Sequence, residues 1–486
     1  MPLLARSANL GLILLVMGMI AGCAPDRAYR SAALDPAVNG ADWPTCAQCR
    51  GDASLEHRTY VTKDRVKGDY LLGFVEFDDQ GWYHDIRQKQ LLLSRLKAMD
   101  ADQGEKFLII VYAHGWKHNA RADDPDVSEF QKLLERIDVM EGARAAAGAG
   151  SPEIKRRKIV GVYMGWRGNS ISLPLLQEAT FWTRKNAAER VGSAGAKDLL
   201  PELKNFKRVS NKDRGNDDLG GPNETQLIVV GHSFGGYLVY TALHSQILER
   251  ATRLRIDGEE AYYGIAQSFG DFVLLVNPAF EGSIYEPIHN FAVNRCYSPK
   301  QRPVMMIVTS EGDWATGIAF PIGRLYTFTQ SAPQDGERET VLKAVGHLNR
   351  YRTHHLRIQR TENDQPVSEP KTVIPTNEKR AEAMADAATA EMNRQTGGAI
   401  SKTSVYYGNA YLEPARPLRA NYPYLVATAE KAVIRDHNDI FNENFIDFIV
   451  RFMTAEVVSP KKNEPPDEPS DYPGCARFLS SAPPVK

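Results

Sequence analysis

The sequence predicts an α/β fold, a mostly parallel, doubly wound sheet with helices on both faces. Apolar runs alternate with stretches whose apolar residues recur at 3–4 spacing, the pattern of strands joined by crossover helices. The runs at 107–112 and 227–230 are continuous, as expected of strands buried on both faces. Marked turns at His114, Gly165, Ser233, Asn277, Asp313 and His437 follow such runs. These are carboxyl ends of strands, where open α/β sheets hold their functional crevice.

The amino terminus does not read as fold. Arg6 supplies a short positive region and Leu10 to Ile20 an apolar one too short to cross a bilayer, so residues 1–22 read as a cleavable export signal. It ends in Ile20-Ala21-Gly22-Cys23, which resembles a bacterial lipobox. That resemblance implies cleavage before Cys23 and its lipidation with fatty acyl groups such as palmitate. With Ala24 next, it implies a lipid anchor in the outer membrane of the cell envelope, on the periplasmic side. No later run reaches the ~18 apolar residues of a membrane-spanning helix.

Residues 23–67, speckled with Pro, Gly and charge, read as a tether, 68–455 as the folded domain, and 456–486 as a Pro-rich tail. Within the domain, Tyr70 to Tyr83 is broken by Asp78-Asp79-Gln80-Gly81, a hairpin signal. A helix follows over Ile86 to Leu96, a strand at 107–112, and a helix carrying Phe130, Leu133, Leu134, Ile137 and Met140 on one face. A strand at 159–164 leads into a mainly helical excursion at about 173–206, whose Phe181, Trp182 and Arg184 suit either a lid or crossover packing. Strands are expected at 227–230, 272–276, 304–308, 424–428 and 432–434, with a second insertion at about 333–421 that holds a helix at 377–393. A last helix carries Phe441, Phe445, Phe448 and Phe452.

Composition excludes several classes of function. A net charge of −1 over 486 residues, with no basic stripe, argues against a nucleic-acid partner. Eleven histidines and five cysteines form no zinc-ligand array, so no metal is expected, and the serine chemistry read below needs no cofactor. Beyond Cys23, Cys46, Cys49, Cys296 and Cys475 allow one or two disulfides in an oxidising compartment, with three pairings open. No thioredoxin-like pattern surrounds Cys46-Ala-Gln-Cys49, which favours a structural bridge.

The chemistry centres on Gly231-His232-Ser233-Phe234-Gly235, set between a β-branched run and a helical pattern. That context makes a G-x-S-x-G match a nucleophile elbow, with Ser233 as the nucleophile. A serine hydroxyl needs an adjacent base, and the base a third group to orient it. His437 stands late, between the last strand and the last helix, and takes the role of base over His347, His354 and His355. His244, eleven residues along the elbow helix, lies out of reach. Asp313 follows a strand directly and is the candidate acid, ahead of Glu311 and Glu281.

With Ser233, Asp313 and His437 in that order, the chain resembles the α/β-hydrolases over about residues 70–453. The resemblance implies an oxyanion hole made by the backbone N–H of Phe234 and, from His114-Gly115-Trp116, that of Trp116. It implies a serine hydrolase, an esterase or lipase acting through an acyl-enzyme on a small-molecule or lipid ester. A silent envelope lipoprotein that uses the scaffold to bind a partner, and an acyltransferase or peptidase with the same triad, are the alternatives. The segment from Asp313 to His437 is far longer than one helix and strand require.

Overall fold

The computed structural model describes residues 26–34, 52–62, 67–147, 154–168, 181–212, 223–256, 259–261, 263–298, 300–325, 337–360, 400–401, 404–419 and 421–458. The residues read as an export signal, Cys23, Cys46, Cys49, Cys475, the helix expected at 377–393 and the residues beyond 458 fall outside these. Cys296 is disulfide-bonded.

Among the described residues, twelve strands form one sheet. In chain order they are β1 (Ser31–Leu34), β2 (Ala53–Val61), β3 (Lys67–Phe77), β4 (Phe107–Ala113), β5 (Lys158–Trp166) and β6 (Gln226–His232). The rest are β7 (Phe272–Val276), β8 (Met305–Ser310), β9 (His354–Ile358), β10 (Val405–Tyr407), β11 (Ala410–Pro414) and β12 (Tyr424–Ala429). Their spatial order is β1-β2-β3-β5-β4-β6-β7-β8-β12-β9-β11-β10. From β3 to β9 every neighbouring pair is parallel, and antiparallel pairs β2–β3, β9–β11 and β11–β10 flank that centre.

Helices cover both faces. In β4, Phe107, Ile109, Val111 and Ala113 point into one apolar layer and Leu108, Ile110 and Tyr112 into the other. The first layer takes residues from α1 (Ile86–Gln103), α3 (Phe181–Ser193), α4 (Gly195–Ser210), α5 (Phe234–Thr252) and α6 (Gly282–Ala292). The second takes α2 (Pro125–Ala147) and α8 (Glu443–Phe452). Alternate side chains of one strand thus feed two cores, which is why the strand runs lack polar residues. A short helix, α7 (Phe320–Arg324), follows a π-helical turn at Ala315–Ala319.

Several expectations change. The stretch read as a tether contributes β1 and β2, and β2, not a strand after residue 81, is the antiparallel partner of β3. The turn at 78–81 forms, with Gly81 at φ +89°, but its far arm is one bridge from Phe77 to Tyr83. The ends of the segment read as an insertion at 333–421 build β9, β10 and β11. Residues 432–434 form no strand. Val433 and Ile434 are buried, yet their N–H groups both return to Glu430 O in a turn, so burial and not pairing made them apolar. Among the described residues no helix is long and apolar enough to cross a membrane.

Candidate functional site

The elbow begins where β6 meets α5. Ser233 sits at the helix amino terminus with φ 55° and ψ −120°, a conformation that costs a residue with a Cβ about 1–3 kcal/mol and persists only where its surroundings impose it. Here the imposition is a set of backbone bonds. Ser233 N–H donates to Val276 O at 3.0 Å, and its carbonyl accepts from Tyr237 and Ala279, each at 3.2 Å. The elbow is therefore tied to the end of β7 as well as to its own helix.

Gly235 faces the end of β4. A Cβ there would lie 2.1 Å from Ala113 O and 2.4 Å from His114 O. On the opposing loop, a Cβ on Gly115 would lie 2.7 Å from His232 Nδ1 and 3.1 Å from Ser233 Cβ. Gly235 lets the elbow meet the end of β4 backbone to backbone, and Gly115 lets the loop pass close against the His232 ring and Ser233 Cβ. Phe234 opens α5, where N–H groups have no intrahelical acceptor and the helix dipole is positive. Trp116 follows Gly115, and Lys117 after it turns the loop at φ 75°.

Two further strand ends complete the arrangement. His437 lies between β12 and α8, and its Nε2 is 2.7 Å from Ser233 Oγ. Its Nδ1 lies 2.9 Å from Asp313 Oδ1, close enough for an ion pair though not aligned as a hydrogen bond. Such bonds are often loose until substrate binds. Asp313 follows β8, is 3% exposed, and also accepts from Thr316, whose N–H reaches Oδ1 at 3.0 Å and whose hydroxyl reaches Oδ2. Burial works to raise its pKa, but the close approach of His437 and the hydrogen bonds from Thr316 outweigh that and hold the carboxyl below its usual range.

The His437 loop is fixed through its carbonyl, which accepts from Asn277 Nδ2 at 2.9 Å and His232 Nε2 at 2.8 Å. Asn277, at φ 46° after β7, also receives Ser310 N–H on its Oδ1 at 2.8 Å, and so binds three strand ends together. Burial, then the neighbouring His437 charge, pushes the pKa of His232 down to about 3. It stays neutral, with Nε2 as the donor.

His114 has a bracing position. Its Nδ1 donates to Gly115 O at 2.9 Å, its Nε2 accepts from Trp166 N–H at 3.2 Å, and its ring stacks on Trp166 at 7°. Burial lowers its pKa to about 4, so the ring keeps one donor and one acceptor and shapes the loop that carries Trp116.

The rival residues lie elsewhere. Glu281 pairs with Lys185 and Arg324 at 3.0 and 2.9 Å, and Glu311 is exposed. His354 and His355 are on β9, His244 is on α5, and His347 reaches only Thr316, behind Asp313. At the start of α3, Phe181 packs on Phe234 and Trp116 with ring centroids 4.7 and 5.3 Å apart, and Trp182 packs on Phe320 at 5.6 Å. The helix is bolted to the turn after β3, where Asp79 accepts from Arg184 at 2.6 Å and from Arg167. Phe181 and Trp182 therefore stand as a fixed aromatic wall beside the elbow.

Sequence reasoning missed Asn277, Thr316 and the supporting bond of His232. Only Asn277 carried a signal, as the first residue of an Asn-Pro turn directly after a strand. Chemically, the arrangement offers a hydroxyl with a base in contact, a carboxylate behind the base, and a helix-start amide beside the hydroxyl. No known protein family matches the chain, and no curated protein matches it either.

Proposed function

We propose that this protein is a serine hydrolase of the α/β-hydrolase type, cleaving a carboxylic ester through an acyl-enzyme on Ser233. The observation that carries this reading is the line from Ser233 Oγ to His437 Nε2 at 2.7 Å and on from Nδ1 to Asp313 at 2.9 Å. As Ser233 Oγ bonds to the substrate carbonyl carbon, His437 Nε2 takes its proton, and Asp313 orients the ring and offsets the imidazolium charge. The amides of Phe234 and Trp116 receive the oxyanion. Collapse expels the alcohol with the proton from His437, and water repeats the cycle to release the acid. These steps call on no cofactor. Esters are preferred to peptides on the family resemblance.

A lipid anchor at Cys23 and a place in the cell envelope, on the periplasmic side of an outer membrane, belong to the same proposal and rest on Ile20-Ala21-Gly22-Cys23. Esters within reach of a bilayer are then the natural substrates. A fluorophosphonate probe should label wild type and spare Ser233→Ala and His437→Ala. Equal labelling of wild type and Ser233→Ala would remove Ser233 as nucleophile. Radiolabelled palmitate should enter wild type but not Cys23→Ala.

A further inference from the structure

We propose that Thr316 and His347 extend the line behind Asp313, with His347 a positioning residue that acts through the Thr316 hydroxyl; this rests on the hydrolase reading above. The direction of the chain follows from proton counting. A threonine hydroxyl has one proton to give. Thr316 gives it to Asp313 Oδ2, so its Oγ1, 2.8 Å from His347 Nε2, can only accept. His347 must therefore carry its proton on Nε2, and the bonds run one way, from His347 to Thr316 to Asp313.

The parts come from separate places and are held there. Asp313 stands at the end of β8, and Thr316 is 1% exposed in the turn that follows. His347 closes a short 3-10 turn, Val345–His347, whose Val345 N–H donates to Phe280 O at 3.0 Å. Asp313 cannot swing away from His437 without stranding the Thr316 hydroxyl in buried space, where an unmet polar group is costly. Burial, and then Arg352, Lys343 and His437, disfavour the charged form of His347, while Asp313 alone favours it. The balance lowers its pKa and keeps it the neutral donor that the chain needs.

The test is the pH dependence of fluorophosphonate labelling and of 4-nitrophenyl ester hydrolysis in wild type, Thr316→Val, Thr316→Ser, His347→Leu and His347→Gln. Glutamine offers an N–H where Nε2–H stood. Thr316→Val and His347→Leu should each lose about tenfold in kcat and labelling rate, the ratio one net hydrogen bond supports, with KM little changed. The acidic limb of Thr316→Val should move to higher pH, because Asp313 loses the hydroxyl that helps hold its carboxyl down, and that of His347→Leu should move the same way but less, because Thr316 keeps its bond to Asp313 and loses only the donor behind it. Thr316→Ser and His347→Gln should stay within about twofold of wild type. Wild-type labelling with unchanged rates and pH limbs in Thr316→Val and His347→Leu overturns the relay alone. So does a His347→Gln variant, shown folded by its thermal midpoint, that is as slow as His347→Leu. If Thr316→Val does not fold, the two His347 variants decide. No labelling of wild type overturns the hydrolase reading and the relay with it.

Discussion

Replacing Gly235 with alanine should push the elbow and the β4 loop apart and slow the proposed chemistry more than it destabilises the fold. The added Cβ would sit 2.1 Å from Ala113 O and 2.4 Å from His114 O, both main-chain atoms that cannot rotate away. Carbon–oxygen contacts begin at about 3.3 Å, so about 1.2 Å of separation must be found between two packed elements. Forcing a methyl into a filled site costs about 1–3 kcal/mol. A displacement of about 1 Å at a reacting centre costs about 100-fold in rate. Gly236→Ala is the milder control, because its Cβ would lie 3.0 Å from Pro278 Cβ and 3.2 Å from Gly231 O, tight by only a few tenths of an ångström, and alanine favours the helix. Labelling rate and thermal midpoint should be measured on both. Gly235→Ala is expected to label about 100-fold slower with a lowered midpoint, and Gly236→Ala to stay close to wild type. A Gly235→Ala protein with wild-type labelling and midpoint would refute the close approach of the two loops.

Asn277→Ala removes a donor to His437 O and the acceptor for Ser310 N–H. Ester turnover should fall about tenfold and stability by about 1–3 kcal/mol, and a variant normal in both would detach Asn277 from the site. Buried His114, with a pKa of about 4 against 6.5 unfolded, binds its proton later when folded. Its contribution to stability is intact above pH 6.5 and is lost as pH falls from there towards about 4, by about 1.4 kcal/mol per pH unit. His114→Asn, which keeps a donor for Gly115 O, should flatten urea midpoints over that window, and an unchanged slope would contradict the neutral brace. Asp79→Ala leaves Arg184 and Arg167 facing each other without their carboxylate, at a cost of about 3–5 kcal/mol in denaturant unfolding. A loss below about 1 kcal/mol would show the cluster to be solvated.

The centre of the sheet was legible because its strands are buried on both faces and carry no polar residues to blur the pattern. β2 was not. Its buried residues include Ser54, Glu56 and His57, and Glu56 is made tolerable by Arg30, 2.8 Å away, from a segment before it in the chain. β9 reads His354-His355-Leu356-Arg357-Ile358, with only Leu356 and Ile358 in the core, too short an alternation to stand out. The elbow was legible because backbone contact demands small residues at fixed offsets. Asp313 and His437 were legible by their order and their places after strands. The supports around them were not, since Asn277 reaches His437 across 160 residues and His347 reaches Thr316 across 31, and no local pattern records such bonds.

The lateral order of the strands also sets when the site can exist. Asp313 follows β8 and His437 follows β12, its neighbour, in a pairing that aligns Thr309 with Thr428. The hydrogen bond to Ser233 spans 204 residues of chain. At the ribosome, about 10–40 s of elongation separates the two ends of that bond. Through that interval the elbow can fold while its hydroxyl lacks His437, so on the proposed mechanism a nascent or truncated chain that stops short of His437 would hold an inert serine. On the proposed mechanism, reactivity would arrive only with the turn after the last parallel strand, and loss of Ser233 labelling would be the first sign that a carboxyl-terminal deletion has reached too far.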